Sequence, residues 1–329
     1  MPIVDANHWS TFLQDHPEAH LLQSTEWGSL KEGFGWRAYR IVQGTSGAQI
    51  LFRRLTLGLS LAYIPKGPVG SDWQSLWGEI DDLCRAHRAV FLKVEPDGWE
   101  PLEQKFVSQL AGWLPSAPIQ PRRTVEIDLS GGAEEILARM KQKTRYNIHL
   151  AQRKEVVVQP SEDLAGFHRM MLLTGGRDGF GVHSLEYYRR AYELFKPQEK
   201  AELLSATYQG QPLAALMVFR QGSRAWYFYG ASSSAERSRM PTYLLQWEAM
   251  QWAAARGCRI YDLWGIPDAN EEILEREFAG RSDGLWGVYR FKRGFGGVVR
   301  RSPGAWDKVY LRGLYRLYRL LYRWRKGIE

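Results

Sequence analysis

The sequence predicts a mixed α/β fold in two tandem domains, and one stretch carries most of this prediction. Between Ala225 and Ile266, an aromatic strand-forming run, AWYFYGA, precedes a helical pattern and a second short strand, CRIYDLWGI. Pro241 stands at the first helical position and Gly257 at the C-terminal cap, where these residues are favoured. Two strands joined by a crossover helix usually pair in parallel, and a substrate can lie where they part. Helices and strands alternate in both halves of the 329 residues, which indicates a duplicated fold.

The first half supplies strands with helices between them. Ser24 or Thr25 is suited to cap a helix that runs through Lys31. VFLKVEP is typical of a buried strand and has Lys93 and Glu95 near its end. We predict helices at residues 8–16, 24–31 and 73–87, a helix and loop at 101–118, strands at 36–42, 90–96 and 124–129, and two strands around an irregular section at 48–69.

The second half repeats this order. Residues 132–154 are predicted to form one long helix with an apolar face that includes Met140 and Ile148, and with positive charge on the remaining surface. Further predictions are helices at 163–179 and 184–195, a strand at 156–160 and a hairpin at 201–220 that turns at Gln209-Gly210. The predicted domains are residues 1–130 and 131–310, followed by a basic amphipathic helix at 311–329. One face of this helix is predicted to be apolar and aromatic and another basic; the first has Leu311, Leu314, Tyr315, Tyr318, Leu321 and Tyr322, and the second Arg312, Arg316, Arg319 and Arg323.

Composition excludes several classes of protein. Cys84 and Cys258 are isolated and the histidines share no metal-ligand spacing, so we expect neither a disulfide framework nor a metal site. The N-terminus does not resemble a secretory signal, and no run of about 20 apolar residues suggests a membrane span. We therefore expect a cytoplasmic protein. Most of the net charge of +8 lies in Arg300–Glu329, which has nine Lys and Arg against two acids and suggests a partner with phosphates.

Several ordered motifs resemble the FemABX family of peptidyltransferases. They are YIPKGPV, KTRYNIHLAQRKEVVV, WYFYGASS, YLLQWEAMQWAAARGCRIYDLWGI and YRFKRGFGG, and the resemblance spans about Gln23 to Gly297. It implies two acetyltransferase-like (GNAT) domains, each a mixed twisted sheet flanked by helices. It also implies transfer of an amino acid from aminoacyl-tRNA to the stem-peptide amine of a peptidoglycan precursor, with no metal or organic cofactor. The long helical arm of larger members is missing here, so the chain resembles the compact form.

The resemblance also implies roles for individual residues. Lys31 and Arg190 match positions that hold the diphosphate of a nucleotide-linked precursor, which suits an ammonium and a guanidinium. Lys292 matches a lysine that stabilises the oxyanion when the amine attacks the ester carbonyl. Phe291 could orient the tRNA end, and Glu95, in place of an aspartate, could position or deprotonate the amine.

Tyr227 and Tyr229 alternate along one strand, so we expect them to share a face and to line the substrate channel. Each assigned residue also has a structural interpretation. Lys31, Arg190 and Lys292 could be solvated surface charges, the two tyrosines ordinary strand aromatics, and Glu95 a salt-bridge partner.

Two other functions remain open at this point. An acyl-coenzyme A N-acetyltransferase would need a glycine-rich turn before the central helix, but ERSRMPTYLL offers a proline and no glycine. A tRNA- or membrane-binding module without catalysis is the other alternative. For the basic C-terminal helix, three interpretations stand: docking on its own domain, peripheral contact with the inner face of an anionic membrane, or tRNA binding. The transferred amino acid, the lipid or nucleotide carrier of the acceptor and the oligomeric state leave no motif.

Overall fold

The computed structural model describes residues 3–326, with side chains through residue 320, and it forms two mixed α/β units. One unit combines the described residues of Met1–Gln120 with those of Ser302–Glu329, and the other is Pro121–Arg301. Each unit contains one mixed sheet with helices packed against it. The predicted fold class, a mixed twisted sheet flanked by helices in each half, is therefore confirmed.

The first unit has one six-stranded sheet, whose strands in spatial order are β1 (Trp36–Gln43), β2 (Ser46–Arg54), β3 (Ser60–Pro65), β4 (Ala89–Glu95), β13 (Ala305–Val309) and β5 (Leu114–Ser116). Among these described strands, β3 and β4 pair in parallel and the other neighbours are antiparallel. The Ser24 side chain accepts a hydrogen bond from the Trp27 backbone N–H, so the predicted N-terminal cap of α2 is confirmed. Up to residue 120 the elements are α1 Ala6–Gln14, α2 Thr25–Glu32, β1 Trp36–Gln43, β2 Ser46–Arg54, β3 Ser60–Pro65, α3 Trp77–Ala86, β4 Ala89–Glu95, α4 Gln104–Gln109 and β5 Leu114–Ser116.

The second unit has a seven-stranded sheet in the order β12-β6-β11-β10-β9-β8-β7. Its elements are β6 Arg123–Asp128, α5 Gly132–Arg139, α6 Gln142–Arg153, β7 Val157–Pro160, α7 Leu164–Asp178, α8 Leu185–Phe195, β8 Ala201–Tyr208, β9 Gln211–Gln221, β10 Arg224–Ser232, α9 Pro241–Ala254, β11 Ile260–Asp262, α10 Glu271–Glu277, α11 Trp286–Lys292 and β12 Val298–Arg301. The chain then returns to the first sheet as β13 Ala305–Val309 and ends in α12 Arg312–Lys326.

The central strand, helix and strand form as the sequence predicts. β10 and β11 pair in parallel, with Ala225 opposite Tyr261, and α9 begins at Pro241. Gly257 follows the helix with φ +79°, a conformation that glycine adopts without steric cost. Apolar residues of α9, among them Leu245 and Trp247, are buried in the main core of this unit. The crossover helix is therefore held by burial of apolar surface against the sheet and against α6.

The predicted long helix at 132–154 is two helices. Met140 has an extended backbone (φ −71°, ψ 152°) and its side chain is buried in the core, which interrupts the helix. At the break, the Lys141 backbone N–H donates to the Gly294 carbonyl at 2.9 Å. A Cβ on Gly296 would overlap the Arg139 carbonyl oxygen, so this glycine permits the close approach of the two segments. Burial of Met140 and docking of the 293–297 turn thus override the helical periodicity.

The compact units divide the chain differently from the predicted boundaries at 130 and 310. β6 pairs with β11 and β12 in the second sheet, although it was assigned to the first domain. β13, which was not predicted as a strand, pairs with β4 and β5 in the first sheet. Strand partners far apart in the sequence determine both assignments. The predicted helix at 311–329 is α12, and its residues 327–329 lie outside the described part of the chain.

In the described part of the chain, no helix combines the length and apolar character that a membrane crossing requires. Within the same residues, no cluster of His, Cys, Asp or Glu has the composition of a metal site. Cys84 and Cys258 are both buried and unbridged.

Candidate active site

A cavity of about 710 Å³ opens in the second unit where β10 and β11 part. Its walls come from the end of α7, the second half of β10, the first turns of α9, the 282–284 loop and α11. The sequence predicts a site at this place, because the carboxyl ends of parallel strands leave a crevice and the N-terminus of the following helix faces it.

Lys292, the last residue of α11, lies at this cavity although its side chain is almost fully buried. Its Nζ donates to the Trp264 carbonyl at 2.7 Å and to the Gly265 carbonyl at 2.8 Å. Burial lowers the pKa of Lys292 to about 7, and the negative charge of Asp262 opposes this shift. Nζ also lies 5.6 Å from the centre of the ring of Tyr227, which lines the cavity as well. The structure thus holds the Lys292 amine group in a fixed, buried position, and the interpretation of Lys292 as a solvated surface charge is wrong.

The two carbonyls that receive Lys292 belong to a turn organised by Asp262. Oδ1 of Asp262 accepts hydrogen bonds from the Trp264 backbone N–H at 2.7 Å and from the Thr124 hydroxyl. Trp264 has φ +57°, an uncommon value for a residue other than glycine. The carboxylate satisfies the N–H that this conformation turns inward, and the Trp264 and Gly265 carbonyls then point toward Nζ of Lys292. Asp262 therefore fixes the turn and also supplies negative charge near the ammonium.

Tyr227 and Tyr229 do not share a face, and the prediction that both line one channel is wrong. A β-bulge interrupts the ladder between them, so Tyr227 is paired with Val218 and Tyr229 with Met217. Tyr227 lines the cavity, and burial raises the pKa of its hydroxyl to about 12. The Tyr229 hydroxyl instead lies 3.4 Å from that of Tyr187 on α8. The extra residue of the bulge thus turns the two rings to opposite faces of the sheet.

An aromatic wall and basic side chains complete the cavity. Phe291 lines it, and its ring packs edge to face against Tyr243 at 5.0 Å and Phe295 at 5.1 Å between centroids. Arg177 and Arg237 also line it; Arg177 donates to the Ser232 carbonyl at 3.1 Å. Aromatic rings next to guanidinium groups suit stacked bases and phosphates.

Sequence reasoning missed Asp262, Tyr243, Arg177 and Arg237. One signal was available for the first of these residues, since Asp262 lies in a strand predicted to be parallel and the carboxyl ends of such strands carry functional groups. The two arginines reach the cavity from α7 and from the loop before α9, so only the tertiary structure brings them together.

Arg190 belongs to the second unit but not to the cavity wall. It lies on α8 with 46% of its side chain exposed, and its ion pair with Glu193 spans 3.7 Å. Such a solvated pair on one helix contributes little to stability, so the guanidinium is available to an anionic ligand.

Lys31 and Glu95 both lie in the first unit. Burial, followed by repulsion from Arg53, lowers the pKa of Lys31 to about 8, and its Nζ lies 4.5 Å from the centre of the Trp27 ring. Glu95 is 2% exposed and accepts hydrogen bonds from the Ile119 N–H at 2.5 Å and the Gln120 N–H at 3.1 Å. Burial raises the pKa of Glu95. Its carboxylate therefore anchors the segment that leads out of this unit's sheet.

The basic helix α6 is engaged mainly in structural contacts. Arg145 donates to the carbonyls of Met140 and Ala138, and Lys154 donates to the Ser238 carbonyl at 3.0 Å. Lys141 pairs with Glu275 at 3.8 Å. The positive charge that the sequence places on this helix is thus only partly presented to solvent.

Known proteins match almost the whole length of this chain. The FemAB family model matches residues 4–107, 115–209 and 198–323. The lipid II:glycine glycyltransferase of Staphylococcus haemolyticus (strain JCSC1435) is 25% identical over 407 aligned positions, which cover 96% of this chain and 94% of the relative. Its counterpart in Staphylococcus aureus (strain MSSA476) gives the same identity and coverage. Because the alignment is longer than the chain, these relatives contain segments that this compact chain does not have.

Solved structures agree on the fold. The crystal structure of FemX superimposes with a TM-score of 0.84 at 22% identity and covers 95% of this chain and 98% of the other. A tandem GNAT protein from the clavulanic acid biosynthesis pathway superimposes with a TM-score of 0.55 at 11% identity, with 93% of this chain and 97% of the other covered. Two successive acetyltransferase-like units are therefore the shared architecture.

Proposed function

The chain belongs to the FemAB family, and we propose that it is an aminoacyltransferase that forms peptidoglycan cross-bridges. The reaction would move an amino acid from aminoacyl-tRNA to the stem-peptide side-chain amine of a lipid-linked precursor. The relatives named for lipid II as substrate support this acceptor, since they match nearly the whole chain. The observation that carries the proposal is the buried Lys292 ammonium, held by two carbonyls at the wall of a cavity.

In this chemistry the neutral amine attacks the ester carbonyl that joins the amino acid to the terminal ribose. A C–N bond forms, the ester C–O bond breaks, and in the net reaction a proton leaves the amine and one reaches the departing ribose hydroxyl. Negative charge develops on the carbonyl oxygen between these events. A fixed cation such as Lys292 stabilises that charge without reorganisation, and removal of one such group typically costs about 10²–10³ in rate.

The donor would enter the cavity by its acceptor end. Phe291 and Tyr243 provide flat surfaces on which the terminal adenine can stack, and Arg177 and Arg237 suit the adjoining phosphates. The short, partly neutralised basic face of α6 would add little to this contact. Because phosphate contacts dominate such binding, we expect donor affinity to fall with increasing salt.

We also propose that Lys31 of the first unit and Arg190 of the second unit each bind phosphate of the acceptor. With a pKa of about 8, Lys31 is mainly protonated at neutral pH, and Arg190 keeps an exposed guanidinium. We also propose that Glu95 positions the acceptor amine, in addition to accepting hydrogen bonds from two backbone N–H groups. Lys31→Gln and Arg190→Gln should raise KM for a diphosphate-bearing precursor and leave KM for a peptide without diphosphate unchanged. The neighbouring Arg189→Gln serves as the matched control.

The proposal is tested by transfer of labelled glycine, alanine or serine from charged tRNA to purified lipid II. Lys292→Met should lower kcat by about 10²–10³. Lys105→Met, which removes an exposed lysine of the first unit, should leave kcat unchanged. Equal turnover in both variants would refute the role of Lys292. Transfer that requires acetyl-coenzyme A in place of charged tRNA would establish the rival acetyltransferase function.

A lipid-linked acceptor also implies a location. We propose that the protein works as a peripheral protein at the inner face of the cell membrane, where such a precursor is built. In residues 3–326, which the structure describes, no helix could cross the bilayer.

A further inference from the structure

The C-terminal helix α12 is fixed on the first unit by its tyrosines. Tyr315 is 4% exposed, and its ring and that of Tyr318 lie 5.2 and 4.9 Å from the ring of Phe91. The Tyr315 hydroxyl donates to the buried Asp307 carboxylate at 2.8 Å. These contacts determine which side of the helix faces the sheet.

The opposite side of α12 presents leucines to solvent. Leu314, Leu317 and Leu320 are 40%, 52% and 65% exposed, and together we name them the leucine face. At 3.6 residues per turn, Leu317 points about 200° away from Tyr315, which separates this face from the docked side. The sequence prediction placed Leu314 on the tyrosine side; packing against Phe91 instead selects the tyrosines alone. The side chains of Leu321, Tyr322 and Arg323, which also entered that prediction, lie outside the described residues.

Positive charge borders the leucine face. Arg312, Arg316 and Arg319 are exposed at spacings of three and four residues, so they form a row along the helix. The segment from Lys308 to Ile328 contains seven Lys and Arg and no acid. A contact surface for this helix must therefore be apolar enough to receive leucines and anionic enough to pair with the arginine row.

A second exposed leucine of the first unit lies in the loop between β2 and β3. Leu57, at the tip of the loop between β2 and β3, is 86% exposed and has φ +59°. Two residues on, Leu59 packs against the small cluster that contains Tyr315. A Cβ on Gly58 would lie 3.4 Å from Nη1 of Arg88, so a further guanidinium lies beside this loop. Exposed leucine next to arginine is thus repeated outside the helix.

We propose that the leucine face of α12 binds the surface of an anionic lipid bilayer. The leucines would enter the boundary between headgroups and acyl chains, while the arginines pair with lipid phosphates. This inference rests on the proposed function, because a lipid-linked acceptor is met at such a surface. A tRNA would use the arginines but leave the leucines in water. A second copy would bring two arginine rows together across a symmetric contact, which is unfavourable.

The test is flotation of the full-length protein with vesicles, in the absence of any substrate. We expect binding to vesicles of 70% phosphatidylcholine and 30% phosphatidylglycerol and little binding to phosphatidylcholine alone. Changing the leucine face to serine should lower partitioning more than about tenfold, since each leucine contributes apolar transfer. Changing Arg312, Arg316 and Arg319 to glutamine should lower it by about a hundredfold, at about fivefold for each arginine.

The matched control is Leu172→Ser with Leu173→Ser, which removes two exposed leucines from α7 of the other unit and should leave vesicle binding unchanged. Melting temperatures establish that each variant is folded. Unchanged vesicle binding by folded leucine-face variants would overturn the proposal. The proposal would also be overturned if these variants bound vesicles normally and instead lost affinity for tRNA or lost a dimer seen in sedimentation. Transfer to a water-soluble precursor reports separately on the proposed function, which can fail or hold independently of the lipid result.

Discussion

Replacement of Asp262 by asparagine should move the alkaline limit of activity to lower pH. The amide oxygen of asparagine can keep the hydrogen bonds from the Trp264 N–H and the Thr124 hydroxyl, because both end on the same carboxylate oxygen. The turn that offers two carbonyls to Lys292 should therefore persist while the negative charge is removed. The substitution thus separates the electrostatic role of Asp262 from its geometric one.

The magnitude follows from the pKa of Lys292, which burial places at about 7 against the opposing charge of Asp262. One unit charge acting across a hydrogen-bonded turn is worth about 1–2 kcal/mol at an effective dielectric constant of about 20, or about one pKa unit. If the protonated amine of Lys292 stabilises the oxyanion, the active fraction of the enzyme falls as pH rises through the pKa of Lys292. Loss of the carboxylate favours the neutral amine and moves that fall to about pH 6. Activity at pH 8 should then drop about tenfold, with little change at pH 5.5.

The assay is single-turnover transfer from charged tRNA between pH 5 and pH 9, with Asp262→Asn beside the parent. The acidic limb reports deprotonation of the acceptor amine and should coincide in the two proteins. Asp262→Ala is the control for geometry, because it loses the turn as well and should lower kcat at every pH. An alkaline limb that stays in place in folded Asp262→Asn, or moves to higher pH, would refute the coupling between Asp262 and Lys292.

Three further predictions concern stability and the cavity wall. The folded-state pKa of Lys292 lies below its unfolded value, so the stability of the parent relative to Lys292→Met should rise as pH increases from about 7 toward 10, measured by urea unfolding. Burial raises the pKa of Glu126 to about 7, above its unfolded value. The parent should therefore lose stability relative to Glu126→Gln as pH rises from 5 to 8. A difference in melting temperature that does not change with pH would contradict this prediction. A Cβ on Gly230 would overlap the Tyr227 hydroxyl, so Gly230→Ala should displace that ring and lower kcat/KM for the donor about tenfold or more, whereas Gly78→Ala, in open space on a helix, should be neutral in the same assay.

Local patterns predicted the parts of the fold that depend on near neighbours. The strand, helix and strand of residues 225–266 have helix-start and helix-stop residues within the segment itself, and the parallel pair forms as expected. The break at Met140 was not predicted, because its cause is a contact with the turn near Gly294, far along the chain. The return of β13 to the first sheet has the same origin, since its partners precede it by about 200 residues.

The sequence likewise predicted some features of the candidate site and missed others. The sequence identified Lys292 and Phe291 through a motif, and the structure places both at one cavity. It could not give the bulge that separates Tyr229 from Tyr227, because one extra residue in a ladder is fixed by register with the partner strand. It also could not assign Asp262 to the support of Lys292, since that relation passes through backbone carbonyls.

The sequence by itself determined the α/β class, the central crossover unit and the amphipathic, acid-free C-terminal helix, because each depends on spacing and composition within a short window. Only the tertiary structure decided which strands share a sheet, that Lys292 is buried with its pKa lowered, and that the tyrosines of α12 face the protein while its leucines face solvent. The physical reason is that burial, long-range strand pairing and the desolvation of a charge depend on residues that are close in space and distant along the chain.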